Sequence, residues 1–227
     1  MHKQWTKYIT MTNIFIMLCM LMFIFMMINY GSTTEPLALI LSGAKLNEII
    51  VKNHEWWRLI VASFIHIGFS HIALNMVSIY FAGSELEMII GSIRFAIIYL
   101  LSALGGNLFS FAFNIDTISV GASTAAFGIF AAFIALAYAN PEIWTLKNRA
   151  QSFAGLIILN IINGFISPGI DNFGHIGGAI FGFFATLLVV RNQRQSNFLL
   201  RISSLIILII MSVILLYLGI QKTLRIL

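Results

Sequence analysis

Seven apolar stretches constrain this chain more than any other feature. They run at about 10–30, 70–88, 94–113, 121–139, 151–169, 173–190 and 202–220. Each is close to the roughly 20 residues that a helix needs to cross a bilayer. In hydrocarbon a backbone must satisfy its own N–H and C=O groups, and a helix does so within one segment. The expected fold is therefore all-α, a polytopic membrane helical bundle. Composition agrees: 59% of residues are hydrophobic and 9% charged, where a soluble domain carries about 25% charged residues. Residues 1–227 read as a single integral membrane domain with no separate soluble part. The net charge of +5 fits loop charges facing an anionic leaflet and points away from nucleic acid. The one cysteine, Cys19, lies in an apolar run, so neither an intrachain disulfide nor a CxxC motif exists.

The spans differ in character. The second, fourth, fifth and sixth are short or hold small and polar residues, which predicts burial inside the bundle. The seventh, Ile202 to Ile220, is rich in Ile and Leu, has no Asp, Glu, Lys, Arg or His, and is expected at the periphery. Lys3 and Lys7 before the apolar run Ile14–Ile28 imitate a leader. No A-x-A site follows, and the run is read as a retained first span. With the N-terminus in the cytoplasm, Lys3, Lys7, Arg94, Lys147, Arg149, Arg191, Arg194 and Arg201 fall inside. Lys45, Lys52, Arg58, Lys222 and Arg225 fall outside. This bias predicts N-in, C-out. No Arg- and Ser-rich transit peptide is present, which favours a bacterial plasma membrane. The loop 31–69 holds Ile49-Ile50-Val51 and Trp56-Trp57-Arg58-Leu59-Ile60-Val61. It is expected to lie partly in the outer leaflet as short interfacial helices.

That topology gathers polar residues at one depth. Ser123 opens span four, His175 opens span six, and His71 and Asn75 share a face near the start of span two. All three spans run inward, so the four groups meet near the outer surface. A serine hydroxyl is a poor nucleophile until a base takes its proton, and His175 is the candidate base. The Ser123 N–H, the Asn75 amide and a His71 ring N–H are candidate donors to a tetrahedral oxyanion. Asp171 is placed in the loop before span six, so a Ser–His dyad is expected and not a triad. Gly174, Gly178 and Gly182 form a small-residue stripe, as do Gly121, Ala125 and Gly128. Such faces bring helix backbones close. Phe127, one turn after Ser123, could stack on His175. Plainer readings stand beside these. Ser123 could be back-bonded to its own helix, and each histidine could be an interior hydrogen-bonding residue. Glu85 and Glu87 read first as the solvated inner end of span two. His66, His71 and His175 lack a carboxylate or cysteine at ligand spacing, so no metal is expected.

Trp57-Arg58, His66-Ile67-Gly68-Phe69-Ser70-His71-Ile72-Ala73-Leu74-Asn75-Met76, Gly121-Ala122-Ser123 and Gly174-His175-Ile176-Gly177-Gly178 together resemble the rhomboid intramembrane serine proteases. The resemblance covers about residues 56–190, that family's six-helix core, and makes 202–220 an extra C-terminal transmembrane helix. It implies Ser123 as nucleophile, His175 as general base, and His71, Asn75 and the Ser123 backbone as the oxyanion site. It places Trp57 and Arg58 in the outer-leaflet loop and gives Glu87 a structural role. It further implies transmembrane protein substrates cut near the outer face within a lipid bilayer, with no cofactor and no metal. Two residues depart from the family pattern. Thr124 stands where many members have glycine, and Phe127 where tyrosine is frequent. Two other classes remain to be distinguished: a catalytically dead relative that binds membrane clients, and a small-solute transporter, which calls for polar groups at the midplane.

Overall fold

The computed structural model describes residues 10–167, 169–190 and 198–227. Lys3, Lys7, Arg191 and Arg194, which entered the charge bias, lie outside the described residues. The chain begins with α1 (Met11–Tyr30). Three short helices follow, α2 (Pro36–Ser42), α3 (Asn47–Lys52) and α4 (Arg58–Val61), and then a 3-10 turn, Ala62–Phe64. Helix α5 (Gly68–Ser78) continues through a π-helical turn, Ile79–Gly83, into α6 (Ser84–Ile90). The remaining helices are α7 (Ser92–Phe113), α8 (Ser123–Ala139), α9 (Trp144–Ile166), α10 (Asn172–Val189) and α11 (Phe198–Leu224). Among the described residues no strand forms; one isolated antiparallel bridge joins Lys45 to Ser119.

Among the described residues six rods are long and apolar enough to cross a membrane: α1, the joined helix Gly68–Ile90, α7, α9, α10 and α11. This is a multi-pass membrane protein. The seventh segment, α8, has only 17 residues, about 25 Å at a rise of about 1.5 Å per residue. It lies in the middle of the bundle, and every residue from Thr124 to Phe133 is buried. Protein surrounds it on nearly every side, so its ends need not reach the headgroups.

Helices α7, α8 and α10 form the centre. Their backbones approach closely because small residues face one another. A Cβ on Gly182 would overlap the Gly128 backbone, and one on Gly178 would overlap the Thr124 carbonyl. This is the small-residue packing that substitutes for hydrophobic driving force between helices in lipid. Helix α1 packs on α7 and the π turn, with Phe15 stacked on Tyr99 at 3.9 Å between ring centroids. Helix α11 lies against α7 and α10.

Helix α9 departs from expectation. It was expected inside the bundle, yet Leu146 is its one buried residue and it packs mainly on α8. The polar residues that suggested burial are satisfied locally. Ser152 Oγ donates to Asn148 O (3.1 Å) and Asn160 Nδ2 to Leu156 O (2.8 Å). A side chain bonded back to its own helix makes no demand for a partner helix.

Glu87 is also not a solvated helix end. It is buried, and its carboxylate accepts from Met11 N–H (2.8 Å), Thr12 N–H (2.8 Å), Thr12 Oγ1 (2.6 Å) and Ser92 Oγ (2.5 Å). Helix α1 has no acid in its own first turn, so Glu87 supplies the negative charge that a helix N-terminus favours. Glu85 pairs with Arg149 at 2.7 Å.

Candidate active site

The loop that delivers Ser123 is held from behind. Gly121 has φ +126°, a conformation that a side-chain-bearing residue rarely adopts. Its N–H donates to Ala62 O (3.0 Å). The next residue, Ala122, donates its N–H to His66 Nε2 (3.3 Å), and the other ring nitrogen of His66 faces Phe64 O (3.3 Å). Those partners require a neutral ring protonated on Nδ1. Burial pushes His66 down to about 3 from its usual 6.5, with the neighbouring His71 adding to the shift and the Phe64 carbonyl opposing it.

Ser123 then opens α8, and its Oγ lies 2.9 Å from His175 Nε2. His175 sits one turn into α10. Its ring is stacked on Phe127, with centroids 4.1 Å apart and planes 11° from parallel. His175 Nδ1 is buried and has no hydrogen-bond partner, so no carboxylate bonds this ring. Asp171 instead caps α10: its Oδ1 accepts from Gly174 N–H (3.0 Å).

His71 reaches the same place from α5. Its Nδ1 accepts from Ile67 N–H (3.4 Å), which leaves the ring proton on Nε2. A Cβ built on Gly121 would lie 2.9 Å from His71 Nε2 and 3.7 Å from Ser123 Oγ. The absent side chain of Gly121 is thus what lets the His71 ring stand beside the serine. Asn75, one turn along α5, is buried and spends one amide hydrogen on His71 O (2.9 Å). The Ser123 N–H is at the first position of α8, where no intrahelical acceptor exists. Gly174 and Gly178 both face Thr124 across the α8–α10 contact.

Thr124 is accommodated by its surroundings. Gly106 of α7 leaves room for it, since a Cβ there would overlap the Thr124 side chain. Its Oγ1 lies 3.4 Å from Ser63 Oγ, which in turn accepts from Asn107 Nδ2 (2.9 Å). Trp57 and Arg58 do not enter the site. Arg58 Nη1 donates to Ile40 O (2.7 Å) and Ala44 O (3.0 Å), Nε donates to Glu55 (2.7 Å), and the guanidinium lies 4.8 Å from the centre of the Trp57 ring. Together they hold α2 against α4. Of the two roles the sequence leaves open for His66, metal ligand or interior hydrogen-bonding residue, it takes the second. Its bond to Ala122 spans 56 residues, and no local pattern announces it. Among the described residues no group of three or more His, Cys, Asp or Glu is arranged to hold a metal.

Residues 53–192 match the model of the rhomboid domain. The chain belongs to the rhomboid family. It is 38% identical over 213 residues to rhomboid protease GluP of Bacillus subtilis, covering 94% of this chain and 41% of that protein. To RHOMBOID-like protein 2 of Arabidopsis thaliana it is 39% identical over 148 residues, 63% of this chain and 46% of that one. A relative named inactive RHOMBOID-like protein 8, also from Arabidopsis thaliana, is 39% identical over 137 residues, 58% of this rhomboid chain and 37% of its own length. The rhomboid chain therefore spans less than half the length of these relatives.

Proposed function

We propose that this rhomboid is a serine endopeptidase that cuts transmembrane or juxtamembrane segments of membrane proteins near the outer face of the membrane. The observation that carries this reading is the 2.9 Å approach of Ser123 Oγ to His175 Nε2, a hydroxyl within reach of a base. Ser123 Oγ attacks the scissile carbonyl carbon while His175 Nε2 takes its proton. The oxyanion is received by the Ser123 N–H, His71 Nε2–H and Asn75 Nδ2, each such donor being worth about 2.7–4 kcal/mol. His175 passes the proton to the leaving amine. A water molecule, deprotonated by the same ring, then hydrolyses the acyl-enzyme and restores Ser123.

In this reading 56–190 is the protease core, 202–220 an added transmembrane helix, and 1–227 one membrane domain. The N-terminus is cytoplasmic and the C-terminus outside, in a bacterial plasma membrane. A substrate helix must unwind at the cut, because its carbonyls are otherwise bonded within the helix. Substrates with a helix-destabilising region and a small residue at the scissile bond are therefore preferred over a rigid polyleucine helix. Equal cleavage of the two would remove the unwinding requirement.

The test is a fluorophosphonate probe on purified protein in detergent, beside Ser123→Ala and His175→Ala. The wild type labels and cleaves a model transmembrane substrate. Both variants lose at least about 10³-fold. A wild type that neither labels nor cleaves would instead make the chain a catalytically inactive relative.

A further inference from the structure

No acid bonds the His175 ring, yet Asp171, part-buried one turn before it, and the fully buried Lys45 both bind the same loop. Asp171 Oδ1 accepts from Gly174 N–H (3.0 Å) and Asn114 Nδ2 (3.1 Å), and Oδ2 accepts from Ser119 Oγ (2.6 Å). The Asp171 carbonyl accepts the His175 N–H (3.1 Å). One residue thus ties together the end of α7, the loop before α8 and the first turn of α10. Lys45, between α2 and α3, is fully buried. Its Nζ donates to Asn114 O (2.6 Å) and approaches Thr117 O (3.5 Å). Its backbone pairs with Ser119 in both directions, each bond 3.0 Å. Lys45 and Asp171 therefore both grip the same loop, 114–119. Two residues further on, that loop reaches Gly121, and then Ser123.

We propose that Asp171 and Lys45 act as one unit of positioning residues: Asp171 fixes the turn that bears His175, Lys45 fixes the loop that bears Ser123, and Asn114, bonded to both, holds the two in register. This rests on the reading of Ser123 and His175 as nucleophile and base.

The charges support it. Burial alone would raise the Asp171 carboxyl. The hydroxyls of Ser110 and Ser119, the Gly174 N–H and the Lys45 ammonium outweigh burial and hold it below the usual carboxylate range. Ser110 Oγ contributes without completing a hydrogen bond of standard geometry. Burial pushes Lys45 down to about 8, against the attraction of Asp171 and of the exposed Asp116. At neutral pH both members carry charge. Both side chains bond Asn114, so removing either one loosens the same loop and removing both loosens it little further.

The experiment uses the full chain in detergent with Lys45→Met, Asp171→Asn, the double variant, and the milder Ser119→Ala. Fluorophosphonate labelling gives two readouts, the plateau (fraction of competent sites) and the rate constant per site. A model transmembrane substrate gives kcat and KM. In each single charge variant the plateau stays at the wild-type level and KM is unchanged. The rate constant and kcat fall by roughly ten- to a hundredfold, as expected of catalytic groups displaced by about 1 Å. The double variant loses less than the product of the singles. Ser119→Ala shows a smaller fall at full plateau. The proposal is overturned if the rate per site is unchanged, whether or not the plateau drops, or if the losses multiply in the double variant. A wild type that neither labels nor cleaves overturns the proposed function itself, and this inference with it.

Discussion

Phe127 and His175 stack with ring centroids 4.1 Å apart and planes 11° from parallel, so the helix that presents the Ser123 hydroxyl also clamps the imidazole that faces it. His175 Nδ1 has no partner. Orientation of the ring therefore rests on this stack and on the bond to Ser123. An aromatic pair of this kind is worth about 0.5–1.5 kcal/mol beyond burial. Phe127→Leu is expected to slow fluorophosphonate labelling by roughly two- to tenfold, at about 1.4 kcal/mol per factor of ten. Phe127→Tyr keeps the stack and labels at nearly the wild-type rate. A wild-type rate in Phe127→Leu would show that the stack does not set the ring.

The contact between α8 and α10 leaves no room for a side chain at Gly182, where a Cβ would enter the Gly128 backbone. Backbone cannot swing aside as a side-chain tip can. Gly182→Ala is expected to destabilise by about 1–3 kcal/mol, the usual range for overpacking, and Gly182→Val by more. Cys19 is the single cysteine and fully buried, so its reaction with a thiol-selective dye on heating reports unfolding. An unchanged midpoint for Gly182→Val would contradict the close approach.

The spans were legible because a bilayer imposes length and polarity on each helix separately. The expected 10–30 and 173–190 compare with Met11–Tyr30 and Asn172–Val189. The fifth span, expected at 151–169, begins earlier, at Trp144, because its first two turns carry Lys147 and Arg149 and a hydropathy reading stops at charges. The approach of Ser123 to His175 was legible in outline, since each opens an apolar segment running the same way. Burial that depends on distant partners was not. Lys45 looked like a loop cation facing outward, yet it is buried against carbonyls 69 and 72 residues away. His66 finds Ala122, and Glu87 finds the start of α1. Nothing in the residues flanking any of them encodes that partner.

Glu87 gives a third prediction. Its carboxylate is what the Met11 and Thr12 N–H groups bond to at the first turn of α1. Glu87→Ala strands those buried or half-buried donors, each costing about 1–3 kcal/mol. Glu87→Gln keeps one acceptor and costs less. Because Cys19 lies on α1, detachment of that helix exposes it before the rest of the bundle melts. Glu87→Ala is expected to speed Cys19 labelling at temperatures where tryptophan fluorescence still reports a folded protein. Coincident transitions would mean that α1 is not released on its own.

The acid response follows from His66. Its ring is neutral in the fold, with Nε2 accepting from Ala122 N–H; protonation would set one donor against another directly behind the serine. Burial, the largest cause, pushes its pKa down to about 3, whereas in the unfolded chain it titrates near 6.5. Between those values the unfolded state binds the extra proton and the folded state does not. Stability therefore falls as pH drops through this window, and His66 contributes nothing to the pH dependence above it. At about 1.4 kcal/mol per unit the loss reaches roughly 4–5 kcal/mol near the lower end. Thermal unfolding followed by tryptophan fluorescence is expected to show a falling midpoint from pH 6.5 downward. In His66→Gln, whose amide oxygen can still accept from Ala122 but does not titrate, the slope is shallower although the variant starts less stable. Parallel slopes for the two proteins would place the acid sensitivity on other groups and leave the His66 ring free to carry a proton in the fold.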